Sequence, residues 1–248
     1  MNKTLLSLGF IITISLNGFA QIPSGVEVLK QLDKNLVLDK AISSISMIIH
    51  SRAGARTIKS KNWIDGKNKA FVEYTDPPRE KGKKMLKLRD QVWIYIPEPT
   101  DRIITISGHL LKQSVMGSDL SYEDITENRK LIDLYYAKVT GSEKINEHDC
   151  YVVELTGKLD DITYFSRKLW VDKERWLPLK EERYARSGKP LKRSQLLEVF
   201  PMENRWYPKR ILYHDLMQDG DGTEYIIESV IMHADISETQ FTKAALKK

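Results

Sequence analysis

From residue 42 onward the chain is dominated by short segments in which apolar and polar residues alternate with a period of two, the spacing of a strand with one buried face. Six come first: Ile42 to Ser51, Ala55 to Asp65, Lys69 to Thr75, Lys83 to Arg89, Gln91 to Pro97 and Arg102 to Ser107. Seven more follow residue 130: Tyr135 to Thr140, Cys150 to Leu155, Thr163 to Asp172, Leu177 to Ala185, Gln195 to Phe200, Lys209 to Leu216 and Tyr225 to His233. Turn residues punctuate them, among them Asp65-Gly66, Asp76-Pro77-Pro78, Pro97-Glu98-Pro99, Ser187-Gly188-Lys189-Pro190 and Asp219-Gly220-Asp221-Gly222. Parallel strands need crossovers of a dozen or more residues, usually helical, and none separates the strands of either run. The pattern therefore predicts a mainly β protein: one continuous, curved antiparallel sheet of about ten or more strands. No fixed repeat or linker divides the chain, so residues 21–248 read as a single domain.

Two features precede the strands. Ser24 to Asp39 reads as an amphipathic helix, with Val26, Leu29, Leu32 and Leu36 on one stripe and Ser24 as N-cap. Residues 1–20 read as a cleavable export signal: Lys3, an apolar run from Leu5 to Leu16, then the small residues Gly18 and Ala20 before Gln21. That run is shorter than the ~20 residues a membrane-spanning helix needs. Gln21 is not a lipidatable cysteine, so a soluble protein exported to a bacterial periplasm is expected. The single cysteine, Cys150, has no partner in the chain for a disulfide. Lys and Arg (39) exceed Asp and Glu (34) by only five, which with export argues against a nucleic-acid binder.

Between the two strand runs, residues 108–130 break the alternation. Leu110, Leu111, Val115, Met116 and Leu120 are large and apolar in a segment too polar for a core strand, and Ser121 with Glu123 and Asp124 marks a short helix start. Connections of this length are often lids or binding loops. Asp119, Glu123 and Asp124 could serve as an acid/base pair, which in glycoside hydrolysis requires carboxyls about 5–9 Å apart; helix capping and a solvated face explain them as well. His148 and Cys150 share a strand face and could form a nucleophilic pair, against the commoner role of a buried structural thiol. The five histidines lack zinc-ligand spacing, and Asp219 to Gly222 departs from a calcium loop at Glu224 and Val230, so no metal and no cofactor are expected. Arg79, Lys81, Lys83, Lys84, Lys87 and Arg89 form the densest basic run, either a soluble face or a weak attraction to anionic headgroups. The strand around Trp93 is apolar on both faces, Val92, Ile94 and Ile96 opposing Trp93 and Tyr95, so both faces must be covered.

Several blocks resemble one known family. Gly82, Leu86, Trp93-Ile94-Tyr95-Ile96-Pro97, Arg102-Ile103 and the continuous Met116-Gly117-Ser118-Asp119-Leu120-Ser121-Tyr122-Glu123-Asp124 are similar to the LolA-like outer-membrane lipoprotein-sorting proteins. Leu169-Trp170-Val171-Asp172, Leu177-Pro178-Leu179-Lys180, Tyr207-Pro208 and Phe241-Thr242 before Leu246 extend the likeness over roughly residues 60–246. The resemblance implies an incomplete antiparallel β-barrel with an N-terminal amphipathic helix and a helical lid segment over an apolar cavity that holds lipoprotein acyl chains. It assigns no lid-locking role to Arg52 or Arg56.

The expectation is thus a non-enzymatic periplasmic carrier of the acyl chains of lipoproteins or of lipids, working between an inner-membrane transporter and an outer-membrane acceptor. Trp93, Ile94 and Tyr95 would form the cavity or its cover, and Leu110, Leu111, Val115, Met116 and Leu120 the lid. Gly117, Ser118, Asp119, Ser121 and Tyr122 would shape that lid. Two alternatives stay open: an envelope hydrolase using the Asp119/Glu123 loop or His148/Cys150, and an accessory module docking on an inner-membrane transporter through residues 79–89.

Overall fold

The structure is a computed structural model that describes residues 22–52, 54–160 and 162–248; the expected export signal at 1–20 lies outside the described residues. Helix α1 (Gly25–Leu36) opens on a reciprocal cap: the Glu27 N–H donates to Ser24 Oγ at 3.2 Å and the Ser24 N–H to Glu27 Oε2 at 2.7 Å. The first meander follows as β1 (Lys40–Ser51), β2 (Gly54–Asp65), β3 (Lys69–Asp76), β4 (Lys84–Leu88), β5 (Gln91–Ile96) and β6 (Arg102–Ile106). A 3-10 turn (Gly108–Lys112), α2 (Tyr122–Thr126) and α3 (Leu131–Leu134) lead to the second meander. It comprises β7 (Tyr135–Ile145), β8 (His148–Gly157), β9 (Ser166–Asp172), β10 (Pro178–Tyr184), β11 (Pro190–Met202), β12 (Arg205–Asp215) and β13 (Thr223–Met232). Two 3-10 turns, Glu238–Phe241 and Lys243–Lys247, close the chain.

All thirteen strands belong to one antiparallel sheet in the order β6-β5-β4-β3-β2-β1-β13-β12-β11-β10-β9-β8-β7. Every neighbour is also a sequence neighbour except β1 and β13, whose pairing (Ala41 with Met232 through Ile49 with Thr223) joins the two meanders. β6 and β7 lie at opposite ends and do not pair, so the sheet is open, not a closed barrel. Each alternating segment of the sequence corresponds to one strand. The largest boundary differences are at β7, which runs on to Ile145, and at β11 and β12, which begin at Pro190 and Arg205, because ladder bonds continue past the end of the apolar alternation. The N-terminal helix stops at Leu36, short of Asp39, where Val37 turns extended and Asn128 holds Leu38 by both backbone groups.

The two sheet faces are covered differently. On the inner face, Val28, Leu29 and Leu32 of α1 bury against Val153, Leu155, Leu169 and Val171, with Leu134 and Tyr135 alongside. The helix sits close to β7: a Cβ on Gly25 would collide with the Ala137 carbonyl, so only glycine fits there. Over β1–β6 the same face is covered by the 108–126 insertion. On the outer face, Ala234, Ile236, Phe241, Ala245 and Leu246 of the C-terminal segment pack on Phe71, Leu86 and Trp93. That double cover explains why β5 is apolar on both sides.

Candidate functional site

Cross-strand register fixes which side chains the insertion meets. Ile94, Met85, Val72 and Asn62 stand side by side from β5 to β2, and Val92 beside Ile106 and Met47 beside Ile58 and Tyr225 continue the row. Leu120 is buried among Met47, Ile58, Val72, Tyr74, Met85 and Val92, with Leu110, Leu111, Met116, Tyr122 and Ile125 packed against the same cluster. Val115 is also fully buried. The structure therefore brings Leu110, Leu111, Val115, Met116, Leu120 and Ile94 together on the inner face. Trp93 and Tyr95 point the other way, under the C-terminal turns, where the Tyr95 hydroxyl donates to Asp101 at 3.0 Å.

The insertion is held by its own backbone and by anchors on strands of both meanders. Met116 (φ 53°) and Gly117 (φ 71°) are both left-handed, and the turn they make lets the Val115 N–H reach the Leu120 carbonyl at 2.8 Å. Ser114 Oγ donates to the Ser118 carbonyl at 2.6 Å, and Ser121 and Asp124 form a reciprocal cap on α2. From β2, the Arg56 guanidinium donates to the Met116 carbonyl. Asp119 accepts from the Thr223 hydroxyl at 2.6 Å and from the Asp215 N–H at 2.8 Å, tying the insertion to β13 and β12.

The deepest anchor was not visible in the sequence. Asp124 reaches into a cluster of charged side chains on β9–β11: its Oδ1 accepts from Arg183 at 3.0 Å and from the Tyr164 hydroxyl at 2.9 Å, its Oδ2 from Lys192 at 2.6 Å. Glu181 binds Arg183 at 3.0 Å and also engages Arg167. Burial would raise the Asp124 pKa, but the Arg183 and Lys192 charges outweigh it and hold the carboxyl at about 2. The available signal was β10 itself: Lys180-Glu181-Glu182-Arg183 carries charge on both strand faces, so one charged face had to be buried and paired.

Two small voids lie between the insertion and the sheet, about 30 Å³ and about 80 Å³, and both are bordered by Ile45, Asn62, Val72, Ile125 and Tyr225. They form one seam. A separate chamber of about 230 Å³ with a mixed lining, Asp33, Arg167 and Arg183 beside Leu36, Leu134 and Ile162, opens beside α3, and a larger pocket of about 420 Å³ bordered by Lys87, Arg89, Val92, Leu111 and Glu123 flanks the insertion.

The groups considered for chemistry are engaged otherwise. Glu123 accepts from the Thr163 hydroxyl at 2.7 Å, and with Asp119 and Asp124 it serves to hold the insertion. Burial pushes the Cys150 thiol up to about 11, and its Sγ faces the His148 carbonyl at 3.6 Å; at neutral pH it stays a thiol. The His148 ring lies 3.6 Å from Asp172. The basic run is largely internally paired: Arg79 and Lys83 to Glu80, Lys84 to Glu73, and Lys87 to the Thr126 carbonyl. Among the described residues, no three His, Cys, Asp or Glu side chains converge to hold a metal ion.

This open thirteen-stranded sheet has the overall fold of LolA-type proteins. A family model described only as an uncharacterized protein matches residues 66–248, about three quarters of the chain, and the chain belongs to that family. The structure is similar to an outer membrane lipoprotein-sorting protein domain, so assigned provisionally, from Vibrio parahaemolyticus (TM-score 0.78, 22% identity, 90% of this chain and 98% of that one). It is similar to a LolA superfamily protein from Nitrosomonas europaea (TM-score 0.76, 22% identity, 90% and 100% covered). It is also similar to a DUF1329 family protein from Desulfovibrio piger (TM-score 0.80, 22% identity, 90% and 97% covered). No curated protein sequence matches the chain significantly.

Proposed function

We propose that this protein is a non-catalytic periplasmic carrier that shelters acyl chains, those of lipoproteins or of lipids, against the inner face of its sheet. The observation that carries the reading is what covers that face. Over β1–β6 it is not another sheet or a long helix but an insertion whose Leu110, Leu111, Val115, Met116 and Leu120 stand where hydrocarbon would lie. The lipoprotein-sorting description of one structural relative agrees with it.

The insertion acts as a resident occupant. The two voids of the apolar seam beneath it are far smaller than the roughly 300–1,000 Å³ of a ligand pocket, so an acyl chain enters that seam as the insertion lifts and then lies between it and the sheet. A chain of about sixteen carbons costs about 12 kcal/mol to keep in water at ~0.8 kcal/mol per CH₂. Part of that gain is spent in undocking the insertion, which leaves an affinity that a competing acceptor can overcome. An inner-membrane transporter as donor and an outer-membrane acceptor complete the route.

Native mass spectrometry of protein purified gently from a periplasm is expected to show co-purifying lipid, and the purified protein is expected to take up a fluorescent fatty acid. Met116→Asp places a charge against the bound chain and is expected to weaken uptake while leaving the melting transition within a few degrees. Absence of both lipid and uptake defeats the proposal; a collapsed fold in Met116→Asp makes that side chain a core residue instead.

A further inference from the structure

Asn62 interrupts a largely apolar seam, alongside Ser60 at the smaller void and Ser43 at the larger. It stands on the inner face of β2 beside Val72 and borders both voids, yet its side-chain carbonyl oxygen is sealed from solvent without a hydrogen-bond partner. Native proteins rarely leave such a group unpaired, and an exception calls for a physical explanation. Leucine would fill this position more favourably if packing were its only role.

Three tyrosines surround the same seam. Tyr225 borders both voids, Tyr74 the smaller and Tyr207 the larger. Burial pushes all three phenols upward, that of Tyr207 to about 12, so each keeps its proton and can donate. The hydroxyls of Tyr95, Tyr135, Tyr164 and Tyr184 donate to neighbouring groups, whereas those of Tyr74, Tyr207 and Tyr225 engage no described residue. The seam thus sets one sealed, unpaired acceptor beside tyrosines whose hydroxyls have no partner among the described residues.

Resting on the carrier reading, we propose that the seam selects acyl chains attached through an amide: the amide N–H donates to Asn62 Oδ1 and the amide carbonyl accepts from a neighbouring tyrosine hydroxyl. An ester of the same chain offers the carbonyl but no donor, and leaves Asn62 unpaired. Discrimination by a missing donor is the strong kind, because the loss falls on a buried group of the protein.

The test compares N-palmitoylethanolamine with 2-hydroxyethyl palmitate, which differ only in N–H against O, by displacement of a fluorescent fatty acid from the purified protein. The amide is expected to bind roughly tenfold more tightly than the ester. Asn62→Leu is expected to bring the two within about twofold by weakening the amide alone, and Tyr225→Phe to narrow the gap in part. An N-palmitoylated peptide in a third arm identifies the source: tighter binding than the ethanolamide points to acylated protein, equal or weaker binding to a free lipid amide. Equal affinity of the wild-type protein for amide and ester, or equal loss of both in Asn62→Leu, overturns the proposal while leaving the carrier reading intact. Failure of every ligand to bind overturns both.

Discussion

Asp124 and Lys192 meet at 2.6 Å in the interior, a carboxylate from the insertion against an ammonium from β11, both side chains almost wholly buried. Their pairing, shared with Arg183, gives the insertion its fixed position. Because the folded Asp124 pKa lies below the ordinary value of 3.8, at about 2, its contribution is fully present above about pH 4 and is lost as pH falls toward 2. The amount is on the order of 2 kcal/mol. Asp124→Asn is expected to lower stability at pH 7 by about that much or more and to flatten the acid limb of the stability profile, read by urea denaturation between pH 7 and 2.5. An unchanged acid limb in the variant would remove Asp124 from this role.

Asp33 on α1 caps a helix far along the chain: it accepts from the Leu131 N–H at 2.6 Å and the Ile132 N–H at 3.1 Å, the first turn of α3, which has no side-chain cap of its own at Lys130. Asp33→Ala is expected to cost about 1 kcal/mol, as for other lost caps. Faster amide exchange at Leu131 and Ile132, with exchange in β1–β6 unchanged, is the signature.

Cys150 is expected to resist thiol reagents. With its pKa near 11 and its side chain buried among Val152, Trp170 and Leu179, it should stay unlabelled by a maleimide at pH 7.5 in the native protein and label rapidly in denaturant. Fast native labelling would reopen a nucleophilic role.

Asn62→Leu is expected to stabilise the protein by about 1 kcal/mol, since it replaces an unpaired buried carbonyl with hydrocarbon. Thermal and urea unfolding should both register the gain, the pattern of a site that gives up stability for function.

The strands were legible because each hairpin repeats a period of two and ends in turn residues, Asp65-Gly66 and Gly188 among them, with Gly66 and Gly188 both at positive φ. The open form of the sheet was legible only through the family resemblance, which implied an incomplete barrel, since alternation says which residues share a face and nothing about whether the outermost strands meet. Alternation likewise sets Trp93 and Ile94 on opposite faces without saying what covers each: the C-terminal turns cover one and the insertion the other. The insertion was recognisable as an interruption, and its Ser121 and Asp124 as a helix start. What Asp124 binds was not recognisable, because Arg183 and Lys192 come from hairpins far away in sequence.

The lone long-range pairing, β1 against β13, has a consequence for assembly. Each meander can grow by adding one hairpin at a time, through contacts between neighbours in the chain, which form quickly. The strand synthesised first must nevertheless wait for the strand synthesised last. Until then both carry bare backbone edges, the feature that invites pairing with other chains. For a nascent chain of this design, that exposed interval ends only when β1 and β13 have met.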